Sequence, residues 1–213
     1  MVARPPRGLV ALTPGRARGE AEVAPLLARI GTALEAGLPA LLLREPGLDD
    51  RAFLRLAQGA REIAAQAWLG VHDRLHVARA AGADGLHLGF RSLEPRRARE
   101  LVGDELALGF SAHAGDAEAT WEGSDYLFFG PLHDTPSKRE LLEPVGLAGI
   151  EAAVARAGRP LLALGGVTPA DVAPVLQRGA TGVAVLSGVL LADDVGAAVA
   201  AYLAALDGAG AGR

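Results

Sequence analysis

The sequence predicts an α/β fold and, within that class, a single (β/α)8 barrel, also known as a TIM barrel. Three observations support this prediction. Eight short apolar segments recur along the chain, segments with helical spacing separate them, and one sequence formula ends several of those helices. Eight uses of one strand–helix unit are typical of a closed barrel. A doubly wound open sheet is the alternative, because counting strands does not establish closure.

The apolar segments are almost continuously hydrophobic, as expected for parallel strands that helices cover on both faces. The eight segments, each of which holds one predicted strand and its end, are Leu9–Thr13, Ala40–Glu45, Trp68–Asp73, Gly85–Gly89, Ala107–His113, Tyr126–Gly130, Pro160–Gly166 and Gly182–Gly188.

The segments between the strands carry helix signals. Residues 48–67 begin with the start signal Leu48-Asp49-Asp50 and place Phe53, Leu54, Leu56 and Ile63 on or near one face. The stretches "EAGLPALLL", "AAGADGLHL", "EGSDYLFF" and "QRGATGVAV" each contain a glycine where a helix should end, shortly before a strand. We therefore predict one barrel domain over residues 1–207, followed by a frayed tail at 208–213.

Composition excludes some classes of function. Hydrophobic residues form 50% of the chain, which is ample for a core, and the net charge of −4 gives no basic surface for nucleic acid. The chain has no cysteine, so disulfide and thiolate chemistry are excluded. The apolar runs are too short for a signal peptide or a membrane span, so we expect no membrane partner and a cytoplasmic location.

Polar residues gather where the predicted strands end, which is where TIM barrels place their chemistry. Four of the five histidines lie on this rim or near it, whereas His76 lies inside a helix. Glu45 is compatible with simple surface ion pairing. The rim positions are Thr13, Arg44, Glu45, His72, Asp73, His87, Ser111, His113, His133, Gly165, Gly166, Leu186 and Ser187.

Two glycine-containing turns indicate a phosphate site. Gly165 and Gly166 follow the seventh strand and precede a helix start, and Leu186 and Ser187 follow the eighth. Backbone N–H groups in these two loops form the usual phosphate site of TIM barrels, so we expect a phosphorylated ligand.

The loop after the sixth strand holds Lys138, the one lysine in a chain whose 20 other basic residues are all arginine. Thr135 and Ser137 place two hydroxyls beside it. A flexible ammonium and two hydroxyls at the mouth can contact phosphate oxygens.

Taken together, the motifs resemble the thiamine phosphate synthase/TenI family of (β/α)8 barrels over nearly the whole chain. They are, in order, "LLLREP", "VHDR", "ADGLHLG", "GFSAH", "DYLFFGPLHDTPSK", "ALGGV" and "GVAVLSG". The synthases of this family join a pyrimidine diphosphate to a thiazole phosphate and release pyrophosphate, with Mg²⁺ on the diphosphate.

The resemblance implies roles for individual residues. Arg44, Ser111 and Lys138 would contact the pyrimidine diphosphate, and Asp73 would bind Mg²⁺. The thiazole phosphate would lie against Thr135, Ser137, Gly166, Leu186 and Ser187, with Gly165 in the same turn.

Four positions depart from the family pattern, and all concern the diphosphate half of the site. The family's glutamine, lysine, asparagine and second Mg²⁺-binding aspartate are replaced by Leu42, Pro46, His72 and Ser92 respectively. These changes favour a diverged, TenI-like protein that tautomerises a thiazole phosphate over a competent synthase. The histidine of characterised TenI-type proteins falls at Pro131, which leaves His133 and His113 as the available substitutes, with His133 as the candidate proton shuttle.

Two alternative functions belong to other classes of protein. One is a non-catalytic binder of a phosphorylated ligand. The other is a metal hydrolase that uses the rim histidines, although the His-x-His signature on the first strand is missing. A homodimer is possible for each of these candidate functions.

Overall fold

The computed structural model describes residues 4–64, 66–134 and 143–210. Its eight strands pair in sequence order, all in parallel, and β1 closes onto β8 to form a barrel. The prediction of a (β/α)8 barrel is confirmed, and the open sheet is excluded. The strands are β1 Gly8–Leu12, β2 Ala40–Leu43, β3 Trp68–His72, β4 Gly85–Leu88, β5 Ala107–Ala112, β6 Tyr126–Phe129, β7 Leu161–Leu164 and β8 Gly182–Val185.

Helices surround the barrel. They are α1 Val23–Glu35, α2 Asp50–Ile63, α3 Leu75–Ala80, α4 Pro95–Val102, α5 Gly146–Ala157, α6 Pro169–Gln177, α7 Ser187–Leu190 and α8 Val195–Gly210. The unit between β5 and β6 has a 3-10 turn, Glu118–Trp121, in place of an α-helix. Its connection contains Gly115, Gly123 and several polar residues, which favour turns over a longer helix.

The residues predicted to start and end helices have the backbone geometry and hydrogen bonds of helix caps. Asp49 caps α2 by accepting a hydrogen bond from the backbone N–H of Ala52 at 2.8 Å. The first glycines of the four helix-end stretches, Gly37, Gly82, Gly123 and Gly179, all have positive φ, between 61° and 92°, which residues with a side chain rarely adopt. Ile63 is an exception to the predicted apolar face, because it is 46% exposed at the end of α2. The last helix continues to Gly210, so residues 208–210 of the tail segment are helical.

Two apolar layers hold the barrel together. The larger lies between the strands and the helices, and the smaller fills the barrel itself with inward-facing side chains. The interior set consists of Val10, Leu12, Ala40, Leu42, Ala107, Tyr126, Phe128, Leu162 and Ala184. None of the described helices is both long enough and apolar enough to cross a membrane.

Candidate functional site

The carboxyl ends of the strands bring the predicted rim residues into two neighbouring sectors of the barrel mouth. Strands β2–β5 carry Arg44, Asp73 and Ser111, and strands β6–β8 lead to the two glycine-containing turns. Thr135, Ser137 and Lys138 lie outside the described residues, so the roles expected for them stay predictions.

In the first sector, Asp73 follows β3 with a positive φ of 62°. Nδ1 of His72 lies 3.1 Å from one carboxylate oxygen, and the hydroxyl of Ser92 donates to the other. Partial burial opposes ionisation of Asp73, but the interactions with His72 and Ser92 outweigh it and hold the pKa of this carboxyl below its usual value. Asp73 is therefore an ionised carboxylate whose side chain is still 44% exposed.

The Ser92 side chain occupies the place beside Asp73. Its oxygen accepts a hydrogen bond from the backbone N–H of Gly89 at 2.6 Å while its hydrogen goes to Asp73. One carboxylate and one hydroxyl thus stand where the family pattern has two carboxylates. Across the described ranges, no cluster of three or more His, Cys, Asp or Glu could hold a metal ion, and the rim histidines form no zinc centre there.

His87 lies deeper than the sequence suggested. It was interpreted as a rim residue, but its ring is 1% exposed inside the barrel. Nε2 lies 2.9 Å from Oγ of Ser111, and Nδ1 lies 3.2 Å from the hydroxyl of Tyr126. Burial, with a smaller contribution from His72, lowers the pKa of His87 well below its usual value, so the ring is neutral. Burial likewise raises the pKa of Tyr126 well above the ordinary range.

Arg44 leaves the end of β2 beside the loop that follows β1. Its backbone N–H donates to Oγ1 of Thr13 at 2.7 Å, and its guanidinium lies beside Gly15. Surface ion pairing, the simple interpretation of Glu45, is wrong. Glu45 is 1% exposed, and its two oxygens accept 2.8 Å hydrogen bonds from the backbone N–H groups of Gly15 and Ala17. Glu45 therefore fixes the β1–α1 loop that borders Arg44.

His113 follows β5 on the outer part of the rim. Its backbone N–H donates to Asp116 at 2.8 Å, and its ring packs edge-on against Phe90, with 6.2 Å between ring centroids. Phe90 itself is 70% exposed. Phe90 could not be predicted as a rim residue, because one aromatic residue in a loop matches no motif.

In the second sector, the two turns predicted to bind phosphate lie at the ends of neighbouring strands, because β7 pairs with β8 through Leu164 and Ala184. Gly165 and Gly166 have φ values of 96° and 70°. A side chain at Gly165 would come closer than 3.0 Å to Pro131, so the two loops touch here. Ser187 opens helix α7 directly after Leu186. The turns are adjacent, as the phosphate interpretation requires.

His133 borders the same sector and has a carboxylate partner. Its backbone N–H donates to the carbonyl of Gly165 at 3.0 Å, and its Nε2 lies 2.9 Å from Oδ1 of Asp171. Burial opposes ionisation of Asp171, but hydrogen bonds from Thr168 and His133 lower its pKa overall. Asp171 was not predicted as a site residue, although "TPAD" is a capping-box sequence that places it at the third position of α6.

Comparison with known proteins adds to this geometry. The family model described as "Thiamine monophosphate synthase" matches residues 9–189. The chain belongs to this family. A putative thiamine-phosphate synthase of Geobacter sulfurreducens is 39% identical over 85% of this chain and 87% of its own length. A thiamine-phosphate synthase of Moorella thermoacetica is 40% identical over 82% of this chain and 85% of its own.

A solved structure of the family has the same fold. The thiamine phosphate pyrophosphorylase from Pyrococcus furiosus superposes with a TM-score of 0.81 at 28% identity, over 95% of this chain and 96% of that one. The resemblance inferred from the motifs is confirmed. An enzymatic function follows for the chain, since its curated relatives are named as synthases.

Two of the family substitutions have clear structural consequences. Leu42 is fully buried among the interior residues, so an apolar side chain fills a space where the family pattern has an amide. Pro46 is exposed beyond β2 and offers no donor. The part of the mouth at the end of β2 thus has fewer polar groups than the family pattern.

Proposed function

We propose that the chain catalyses thiamine phosphate synthesis, joining a pyrimidine diphosphate to a thiazole phosphate with release of pyrophosphate. The observation that carries this proposal is the similarity, at about 40% identity over more than four fifths of both chains, to the Moorella thermoacetica thiamine-phosphate synthase. That similarity favours the synthase over the tautomerase-type activity that the substitutions at the rim suggested.

The two sectors of the mouth suit two substrates. We assign the thiazole phosphate to the turns at Gly165–Gly166 and Leu186–Ser187, and the pyrimidine diphosphate to the sector of Arg44 and Ser111. The carbon–oxygen bond at the pyrimidine methylene breaks with its electron pair leaving on pyrophosphate, and the thiazole nitrogen forms the new bond to that carbon. Arg44 as a cation and Ser111 as a hydrogen-bond donor stabilise the charge on the leaving group.

Thr135, Ser137 and Lys138 complete this assignment as proposals. The two hydroxyls would bind the thiazole phosphate, and the Lys138 ammonium would bind the departing pyrophosphate as a compact point charge. They directly follow the described loop that carries His133, which already contacts the phosphate turn.

Mg²⁺ fits this site to a limited degree. Magnesium in phosphate-handling enzymes is held by one or two carboxylates, with substrate oxygens and water completing its shell. Asp73 supplies one ionised and accessible carboxylate, and Ser92 supplies none. Bound there, Mg²⁺ would neutralise charge on the diphosphate.

A second candidate is the tautomerisation of a thiazole phosphate carboxylate. The His133–Asp171 pair favours it, because an imidazole held by a carboxylate next to the phosphate turn can move a proton without a metal. In this case His133 is the proton shuttle, and the altered diphosphate sector has no role.

One pair of variants separates the two candidates. Ser92→Asp restores the second carboxylate, and Ser92→Asn is the matched control of similar size without charge. The synthase proposal expects Mg²⁺-dependent thiamine phosphate formation by the wild-type chain and a lower Mg²⁺ requirement in Ser92→Asp alone.

The second candidate has its own readout. The tautomerase is supported if the wild-type protein forms no thiamine phosphate but catalyses proton exchange in the substrate thiazole phosphate carboxylate, as followed by NMR. This exchange should be lost in His133→Ala. Calorimetric binding of thiazole phosphate with neither activity supports a non-catalytic binder. The homodimer and the cytoplasmic location stay predictions, and light scattering after size exclusion tests the first of them.

A further inference from the structure

A column of three polar groups runs through the otherwise apolar interior of the barrel. Tyr126 on β6 is fully buried, His87 on β4 is 1% exposed, and Ser111 lies at the mouth end of β5. The Tyr126 hydroxyl lies 3.2 Å from Nδ1 of His87, and Nε2 of His87 lies 2.9 Å from Oγ of Ser111. We name these three residues the interior relay.

Strand β5, which lies between β4 and β6, leaves room for this column of polar groups. Gly109 on β5 stands in register with His87 on one side and Tyr126 on the other. A methyl group at Gly109 would come closer than 3.0 Å to both the Tyr126 ring and the His87 imidazole. Phe128 covers the His87 ring, with 4.3 Å between the ring centroids. The imidazole is thus fixed in place by packing.

The relay has a direction. A neutral imidazole donates from one nitrogen and accepts at the other. If Nδ1 carried the hydrogen, the Tyr126 hydroxyl would accept it, and the phenol's own hydrogen would have no acceptor among the described residues. If Nε2 carries it, Tyr126 donates to Nδ1 and Nε2–H donates to Ser111. Leaving a buried donor unpaired is unfavourable, so the Nε2–H form is favoured by roughly tenfold.

We propose that the interior relay fixes the Ser111 hydroxyl as a hydrogen-bond donor that points into the barrel mouth, toward an anionic phosphate oxygen of the ligand. With its lone pair engaged by Nε2–H, Ser111 keeps its own hydrogen for the ligand. Tyr126 and His87 are positioning residues that act through Ser111. The contact between Ser111 and a phosphate oxygen rests on the proposed function, whereas the direction of the hydrogen bonds in the relay does not.

The relay predicts a non-additive pair of variants. Ser111→Ala removes the donor and should weaken binding of inorganic pyrophosphate with Mg²⁺ by about tenfold. Tyr126→Phe removes one buried hydroxyl, which lets His87 change tautomer and should weaken binding by roughly threefold. The double variant should bind as Ser111→Ala does, because Tyr126 acts only through Ser111. Calorimetry measures all four affinities.

The tautomer of His87 is read separately by long-range ¹H–¹⁵N NMR of histidine-labelled protein, with His87→Gln to assign the signal. The relay predicts Nε2–H in the wild type and a mixture in Tyr126→Phe. An Nδ1–H tautomer in the wild type, or additive losses in the double variant, would overturn the relay. A wild-type chain that shows Nε2–H and binds no pyrophosphate would instead contradict the proposed function.

Discussion

Replacing Gly109 with alanine tests the packing of the barrel interior. The added methyl group would approach both the Tyr126 ring and the His87 imidazole more closely than 3.0 Å. Both rings are enclosed, because Phe128 stacks on His87 and Trp68 meets Tyr126 edge-on at 6.0 Å. Neither ring can move aside without disturbing the strands around it.

The expected cost follows from two effects. Overpacking a well-filled core costs about 1–3 kcal/mol, and loss of a buried hydrogen bond adds about 1 kcal/mol. We expect Gly109→Ala to lose roughly 3 kcal/mol of unfolding free energy, which for a chain of this size lowers the melting temperature by about 6–12 °C. Urea and thermal unfolding followed by circular dichroism measure both quantities.

Gly31 offers a matched control within α1. A methyl group there meets no neighbouring side chain within 4 Å, so Gly31→Ala should stabilise the chain by about 0.5–1 kcal/mol through the unfolded state and the helix. A Gly109→Ala variant that melts within about 1 °C of the wild type would refute the interior packing.

Three further predictions concern single groups. Because burial lowers the pKa of His87, the unfolded chain takes up its proton first as pH falls. The stability advantage of the wild type over His87→Gln should therefore shrink by about 1.4 kcal/mol per pH unit below about pH 6.5, and parallel pH profiles would contradict this. Glu45→Gln should cost about 1–3 kcal/mol in thermal unfolding, because its amide NH₂ would face a backbone N–H group, whereas exposed Glu35→Gln should be neutral. Ser111→Ala should lower kcat/KM for thiamine phosphate formation by about 10²-fold, and an unchanged value would remove Ser111 from the diphosphate site.

The strands and helix ends could be predicted well from the sequence for a physical reason, whereas closure of the sheet needed the strand pairing. Parallel strands buried on both faces read as continuous apolar runs, and the glycines that end the helices have few substitutes at positive φ. The fifth unit was misjudged, because the pattern of the other units suggested a helix where the polar, glycine-containing connection holds only the 3-10 turn Glu118–Trp121.

The polar interior could not be predicted in the same way. Alternation along a strand indicates which face a side chain occupies, but not how deep it lies or what it contacts across the barrel. His87 and Tyr126 are 39 positions apart, and Glu45 meets its partners 28 and 30 positions away. The rim was predictable as a set of positions, while its pairings, including His133 with Asp171, depend on tertiary placement.

The most direct test of the proposed activity follows both products by ³¹P NMR in one reaction that contains the pyrimidine diphosphate, the thiazole phosphate and Mg²⁺. The proposal predicts that thiamine phosphate and pyrophosphate appear together in equal amounts and at a rate proportional to enzyme concentration. Unchanged substrate signals, or pyrophosphate released without thiamine phosphate, would contradict it.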